Sequence, residues 1–197
     1  HKNSSAGATD WTATAGSEDI DGYYPVSYCP AGSDDIYVVA AKKTTQESLM
    51  FNRSDDGGET WAVAEYALPY AEEAYGIDFI ASACYQVVAK GNDVYVLYGA
   101  NFCDMILMHS DSKGDIGTWT SQVLVNFPID NFDGAAGETT DFDGDGDKDT
   151  IASSDGKLEM IIEDDGTVHV FSGRIRVYDP TTAAGYYYIP KTDGIWY

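Results

Sequence analysis

Apolar and polar positions alternate in short segments along the chain, at Asp35-Ile-Tyr-Val-Val39, Asp93-Val-Tyr-Val-Leu97 and Thr167-Val-His-Val-Phe171. Each follows an acidic turn containing Gly or Ser, and alternation of this kind puts one face of a strand on a core. Helix is disfavoured, because Gly or Pro interrupts almost every window and β-branched and aromatic residues crowd the apolar runs. In the middle of the chain the pattern predicts four strands: Ala81 to Ala89, Asp93 to Gly99, Met105 to Ser110, and Trp119 to Val125. Lys90-Gly-Asn-Asp93 reads as a hairpin between the first two, since Gly and Asn tolerate positive φ.

The four tryptophans keep the same time as these strands. Trp11, Trp61, Trp119 and Trp196 are 50, 58 and 77 residues apart and end comparable segments. Periods near 50 suggest the blades of a β-propeller. The expected architecture is therefore all-β, with about three four-stranded antiparallel blades: residues 18–70, 71–129 and 130–197. Residues 1–17 read as a strand from a preceding blade. The last interval is roughly 20 residues longer than the one before it, and the excess forms a Gly-rich, acidic insertion at 130–149. Three blades fall below the usual ring. The expectation is part of a larger propeller, or a chain that assembles with others, with the N-terminal strand a candidate to close the last blade.

Ser54-Asp55-Asp56-Gly57-Gly58-Glu59-Thr60-Trp61 has the chemistry of a pinned turn. The Ser54 and Asp56 oxygens can accept backbone N–H groups, Gly58 permits a left-handed step, and Trp61 offers a large face for packing. The segment matches Ser-x-Asp-x-Gly-x-Thr-Trp in full and resembles the Asp box, or BNR repeat, of sialidase-like β-propellers. Ser110 to Trp119 resembles a lengthened copy, Thr192-Asp193-Gly194-Ile-Trp196 a shortened one, and Ser4 and Trp11 keep only the edges. In that family the box is structural, so Asp56 receives no catalytic role.

Catalytic members of the family use three arginines on a substrate carboxylate, a Tyr–Glu pair as nucleophile and an Asp as acid/base. Here the arginines are Arg53, Arg174 and Arg176. Arg53 immediately precedes the box, Arg174 and Arg176 share a strand face, and the Phe-Arg-Ile-Pro motif is absent. No residue is assigned to catalysis. The resemblance implies a noncatalytic, secreted or surface-exposed module for binding or assembly. The alternative is a fragment of an exo-sialidase or related glycoside hydrolase whose catalytic residues lie outside these residues.

Asp141-Phe-Asp143-Gly-Asp145-Gly146-Asp147-Lys-Asp149 places carboxylates at alternate positions with Gly at the sixth. So many carboxylates in so short a run repel one another unless a cation sits among them, and calcium accepts about six to eight oxygens in flexible geometry. Asp141, Asp143 and Asp145 are expected as side-chain ligands, Asp147 through its carbonyl, and Asp149 directly or through water. Ala152 stands where an EF-hand carries Glu, and no flanking helix pattern is present. The loop is similar to those that tie down connections in extracellular propellers, and its expected task is to order the insertion.

Thirty-three acidic residues against 11 basic ones give a net charge of −22. That surface disfavours nucleic acid and anionic membranes as partners, and no apolar run is long enough to span a bilayer. A glycan or a surface protein is the expected ligand. Tyr23-Tyr24 and Tyr186-Tyr187-Tyr188 are candidate sugar-stacking faces, although strand packing is the simpler reading. His1, His109 and His169 are too scattered for a triad or zinc site. Cys29, Cys84 and Cys103 allow at most one intrachain bond, with Cys84 and Cys103 the pair that one blade edge would bring together. The sequons at Asn3 and Asn52 are short enough to occur by chance.

Overall fold

The computed structural model describes residues 22–42, 48–70, 84–129, 144–146, 149–178, 187–189 and 194–197. These form an all-β structure of twelve strands in three antiparallel sheets, with no helix among the described residues. None of the sheets is closed on itself.

The first sheet runs in the order β1 (Gly22–Tyr28), β2 (Ile36–Lys42), β3 (Leu49–Ser54), β4 (Val63–Ala67). The second repeats that order with β5 (Tyr85–Lys90), β6 (Asp93–Tyr98), β7 (Met105–Ser110) and β8 (Thr120–Val125). Of their middle strands, β2 and β6 are rich in β-branched and aromatic residues, and all four are buried along most of their length, whereas β4 and β8 are largely exposed. Between β5 and β6 the expected hairpin is present: Lys90 pairs with Asp93, and Gly91 takes φ 61°. A positive φ here matches the twist of a two-residue connection.

The third sheet is narrower. Long strands β9 (Ile151–Ile162) and β10 (Val168–Tyr178) pair with each other, and two short strands, β11 (Tyr187–Tyr188) and β12 (Gly194–Trp196), both pair with β10. Trp196 thus lies in a strand opposite Ser172. The sequence pattern puts it at the end of a shortened turn; as a large aromatic it serves equally well on a pleated surface, so its spacing alone does not distinguish the two.

Sheets adjacent in sequence touch through their first strands. β1 and β2 meet β5, and β5 and β6 meet β9. Tyr37, Phe51, Tyr85, Val96, Met108 and Trp119 belong to one core that joins the first sheet to the second. Leu97 and Met105 pack with Leu158 and Met160 between the second and third. Full burial of such side chains contributes about 1.5–3 kcal/mol each, so these seams are where the sheets are held together. Cys84 and Cys103 both lie in the first core and are not joined by a disulfide, and burial pushes the Cys103 thiol pKa up.

Candidate functional site

Ser54 and Ser110 leave the third strand of their sheets in the same way. Ser54 Oγ accepts the N–H groups of Asp56 (3.3 Å) and Gly58 (2.8 Å), and Ser110 Oγ accepts those of Ser112 (3.2 Å) and Gly114 (3.0 Å). Gly58 and Gly114 both have φ in the left-handed region, 88° and 79°. One hydroxyl therefore satisfies two backbone donors that the turn would otherwise leave unpaired. In the first turn, Asp56 also accepts the Thr60 N–H (2.9 Å) and hydroxyl (2.6 Å). These bonds to Thr60, with that from Ser54, hold its carboxyl pKa down at about 2.

The second turn reaches back onto the first sheet. The Trp119 ring meets Phe51 edge-on at a centroid distance of 4.9 Å, and its indole N–H donates to the Gly114 carbonyl at 3.3 Å. A side chain on Gly114 would collide with the Phe51 ring. Arg53 Nη1 donates to Asp115 at 2.7 Å and to the Lys113 carbonyl at 2.9 Å, and Nε lies 2.9 Å from Asp55. Burial works against the Arg53 charge, but Asp115 and Asp55 outweigh it and raise its pKa. Lys113 pairs with the buried Asp35 at 2.9 Å and lowers that carboxyl's pKa. By contrast, Trp61 is half-buried and its buried indole nitrogen has no hydrogen-bond partner among the described residues.

Only part of the acidic loop is described. Asp141, Asp143 and Asp147 lie outside the described residues; Asp145 is exposed and Asp149 is half-buried two residues before β9. Gly144 and Gly146, on either side of Asp145, have φ 78° and 89°. Both values lie in the left-handed region that glycine adopts at no steric cost. Among the described residues no three side chains of the metal-binding types cluster. Of the arginines, Arg176 donates to Thr150 at 3.1 Å, and the Arg174 guanidinium lies over Gly194.

Sequence reasoning missed a further feature on β9. Ser154 pairs with Arg174 and Leu158 with Ser172, so Asp155, Gly156 and Lys157 together stand opposite the single residue Gly173. This bulge is built from the same device as the turns. Ser154 Oγ accepts the Gly156 N–H at 3.0 Å, Gly156 has φ 77°, and Asp155 accepts the Lys157 N–H at 2.8 Å. The Asp155 carboxylate fills the space that a side chain on Gly173 would take. Beside the bulge, Gln86 of β5 is fixed across the seam. Its Nε2 donates to Glu159 at 2.7 Å, and its Oε1 accepts the Met160 N–H at 2.7 Å.

Two clefts open along the seam between the second and third sheets. One, of about 490 Å³, is lined by Val26, Gln86, Lys157, Glu159, Phe171 and Gly173 among others. The other, of about 700 Å³, has Leu107, Leu124, Val168 and Trp196 in its walls, and His169 at its margin bridges Glu163 (2.8 Å) and the Tyr197 hydroxyl (2.6 Å). No protein-family model, curated protein or solved structure matches the chain.

Proposed function

We propose that this chain is a noncatalytic, calcium-stabilised β-propeller segment of the sialidase-like kind, acting outside the cell or on its surface as a module that binds a glycan or protein. The observation that carries this reading is the recurrence of one serine-centred turn after the third strand of two consecutive antiparallel sheets, with sequence-adjacent sheets meeting through their first strands. Radial repetition of such sheets is the plan of a propeller. Ser54 to Trp61 supplies the complete Asp box and Ser110 to Trp119 its lengthened copy.

The placement of Arg53 favours a binding role over hydrolysis. Its guanidinium is engaged by Asp55, Asp115 and the Lys113 carbonyl. That leaves Arg174 and Arg176, on a single strand, for any substrate carboxylate.

Calcium belongs to the same proposal, held by the carboxylates of Asp141, Asp143 and Asp145, the Asp147 carbonyl and Asp149. A metal bound only by the folded chain raises its stability in proportion to the logarithm of ligand over Kd. The melting temperature is therefore expected to rise with calcium and fall with chelator, and Asp143→Asn with Asp145→Asn should abolish the difference. Superimposable curves for the unaltered chain would overturn the metal assignment.

A further inference from the structure

We infer that the cleft beside the β9 bulge is a binding site for an uncharged saccharide, an inference that rests on the glycan-binding reading above and names its site and ligand class. A bulge in the interior of a strand re-aims side chains, and bulges are concentrated next to functional sites. Here the insertion of Asp155, Gly156 and Lys157 opposite Gly173 carries Lys157 to the wall of a cleft that residues of all three sheets line. The distortion is held from several sides: Ser154 on the Gly156 N–H, Asp155 on the Lys157 N–H, and the Gly156 backbone close against Asn101 in the connection between β6 and β7.

The volume, about 490 Å³, lies within the range of small-molecule sites, which combine an apolar lining with a few fixed polar groups. Val26, Leu158 and Phe171 provide the apolar part, and an aromatic ring suits the C–H face of a pyranose. Gln86, Lys157 and Glu159 provide donors and acceptors of both kinds, as a ligand bearing several hydroxyl groups requires. Gln86 is already immobilised by Glu159 and the Met160 N–H, so little side-chain entropy remains to be lost there on binding.

Charge decides the class of sugar. Lys157 and Glu159 balance one another at the cleft, while the chain as a whole carries −22. That field opposes sialic and uronic acids and leaves neutral sugars unaffected.

The test is titration of the full chain, in calcium, with a panel of neutral mono- and disaccharides, and with lactose against sialyllactose, followed by calorimetry and saturation-transfer NMR. Lys157 and Glu159 are exposed, so Lys157→Ala and Glu159→Gln should keep the parent melting temperature. Binding of at least one neutral sugar, weakened about tenfold in each variant and stronger for lactose than for sialyllactose if lactose is the sugar bound, supports the site; tenfold corresponds to about 1.4 kcal/mol. Absence of neutral-sugar binding at millimolar concentration, affinity unaltered in both variants, or preference for the sialylated ligand overturns it. A calcium-dependent melting shift without sugar binding would refute this site and leave the calcium-stabilised module standing.

Discussion

The seam between the first and second sheets is bridged by side chains of a turn, whereas two clefts open along the seam between the second and third, one of them also lined by Val26 of the first sheet. Both begin alike, with a side chain of β5 reaching across: Tyr85 donates its hydroxyl to the Tyr24 carbonyl on one side, and Gln86 binds Glu159 and Met160 on the other. Further out they diverge. The first seam is filled by the turn that leaves β7, with Trp119 on Phe51 and Arg53 on Asp115. At the second seam the corresponding tryptophan, Trp196, is held in β12 and borders a cleft of about 700 Å³. The turn after the third strand of the second sheet thus helps join it to the first, while the clefts beside the third sheet leave Lys157 and Glu159 exposed.

The sharpest way to break this comparison is to truncate the two tryptophans. Trp119 is only 5% exposed and packs in the core that joins two sheets. Trp119→Ala is expected to cost about 3–5 kcal/mol, from lost burial and the cavity left behind. Trp196→Ala, on a cleft wall, should cost under about 2 kcal/mol. Equilibrium denaturant unfolding of both variants would measure the difference, and equal losses would show that the two seams are alike.

Arg53 comes next. Its side chain is 10% exposed, while Asp115 and Asp55 are 57% and 45% exposed, so the pair is strengthened by burial on one side only. Arg53→Ala should destabilise by about 2 kcal/mol, since hydrogen bonds to charged groups contribute about 1.5–3 kcal/mol and Asp115 can return to water. A double-mutant cycle with Asp115→Ala should recover roughly 1 kcal/mol of coupling. Zero coupling would mean that the Arg53–Asp115 pair adds nothing to the Trp119–Phe51 and Lys113–Asp35 contacts across this seam.

How much of this is legible in the sequence differs between the seams for the same physical reason. Ser54 to Trp61 announces its turn because Ser, Asp and Gly occupy the positions that a local hydrogen-bond pattern requires, and local patterns are written locally. The Lys90-Gly-Asn-Asp93 hairpin and the strands around it are readable on the same grounds. Ser154-Asp155-Gly156 carries the same chemistry, yet it sits inside a strand. Only the continuous partner β10, aligned on both sides of Gly173, makes it a bulge and not a reversal, and that pairing is non-local. The clefts are illegible for a related reason, since Val26, Gln86 and Lys157 come from three different sheets and lie far apart in sequence. The acidic run is the plainest motif of all, and three of its five proposed ligand residues lie outside the described residues.

The smallest expected effect separates the two pinned turns themselves. The first holds an ionised Asp56 where the second has Ser112, and only a carboxyl group titrates in the acid range. The Asp56 pKa is lowered to about 2 by its bonds to Thr60 and Ser54. A carboxyl depressed in the folded state contributes stability that is complete above its ordinary pKa of 3.8 and disappears as pH falls through about 2. Acidification over that window should therefore loosen the Ser54–Trp61 turn while the Ser110–Trp119 turn keeps its serine-centred bonds. The Thr60 and Gly114 amide resonances report on each separately. Thr60 should shift with a midpoint near 2 and Gly114 should show no transition with that midpoint, and Asp56→Asn should abolish the Thr60 titration. A Gly114 shift with the same midpoint would mean that the turns open together, so that protonating Asp56 also loosens the contacts across the first seam.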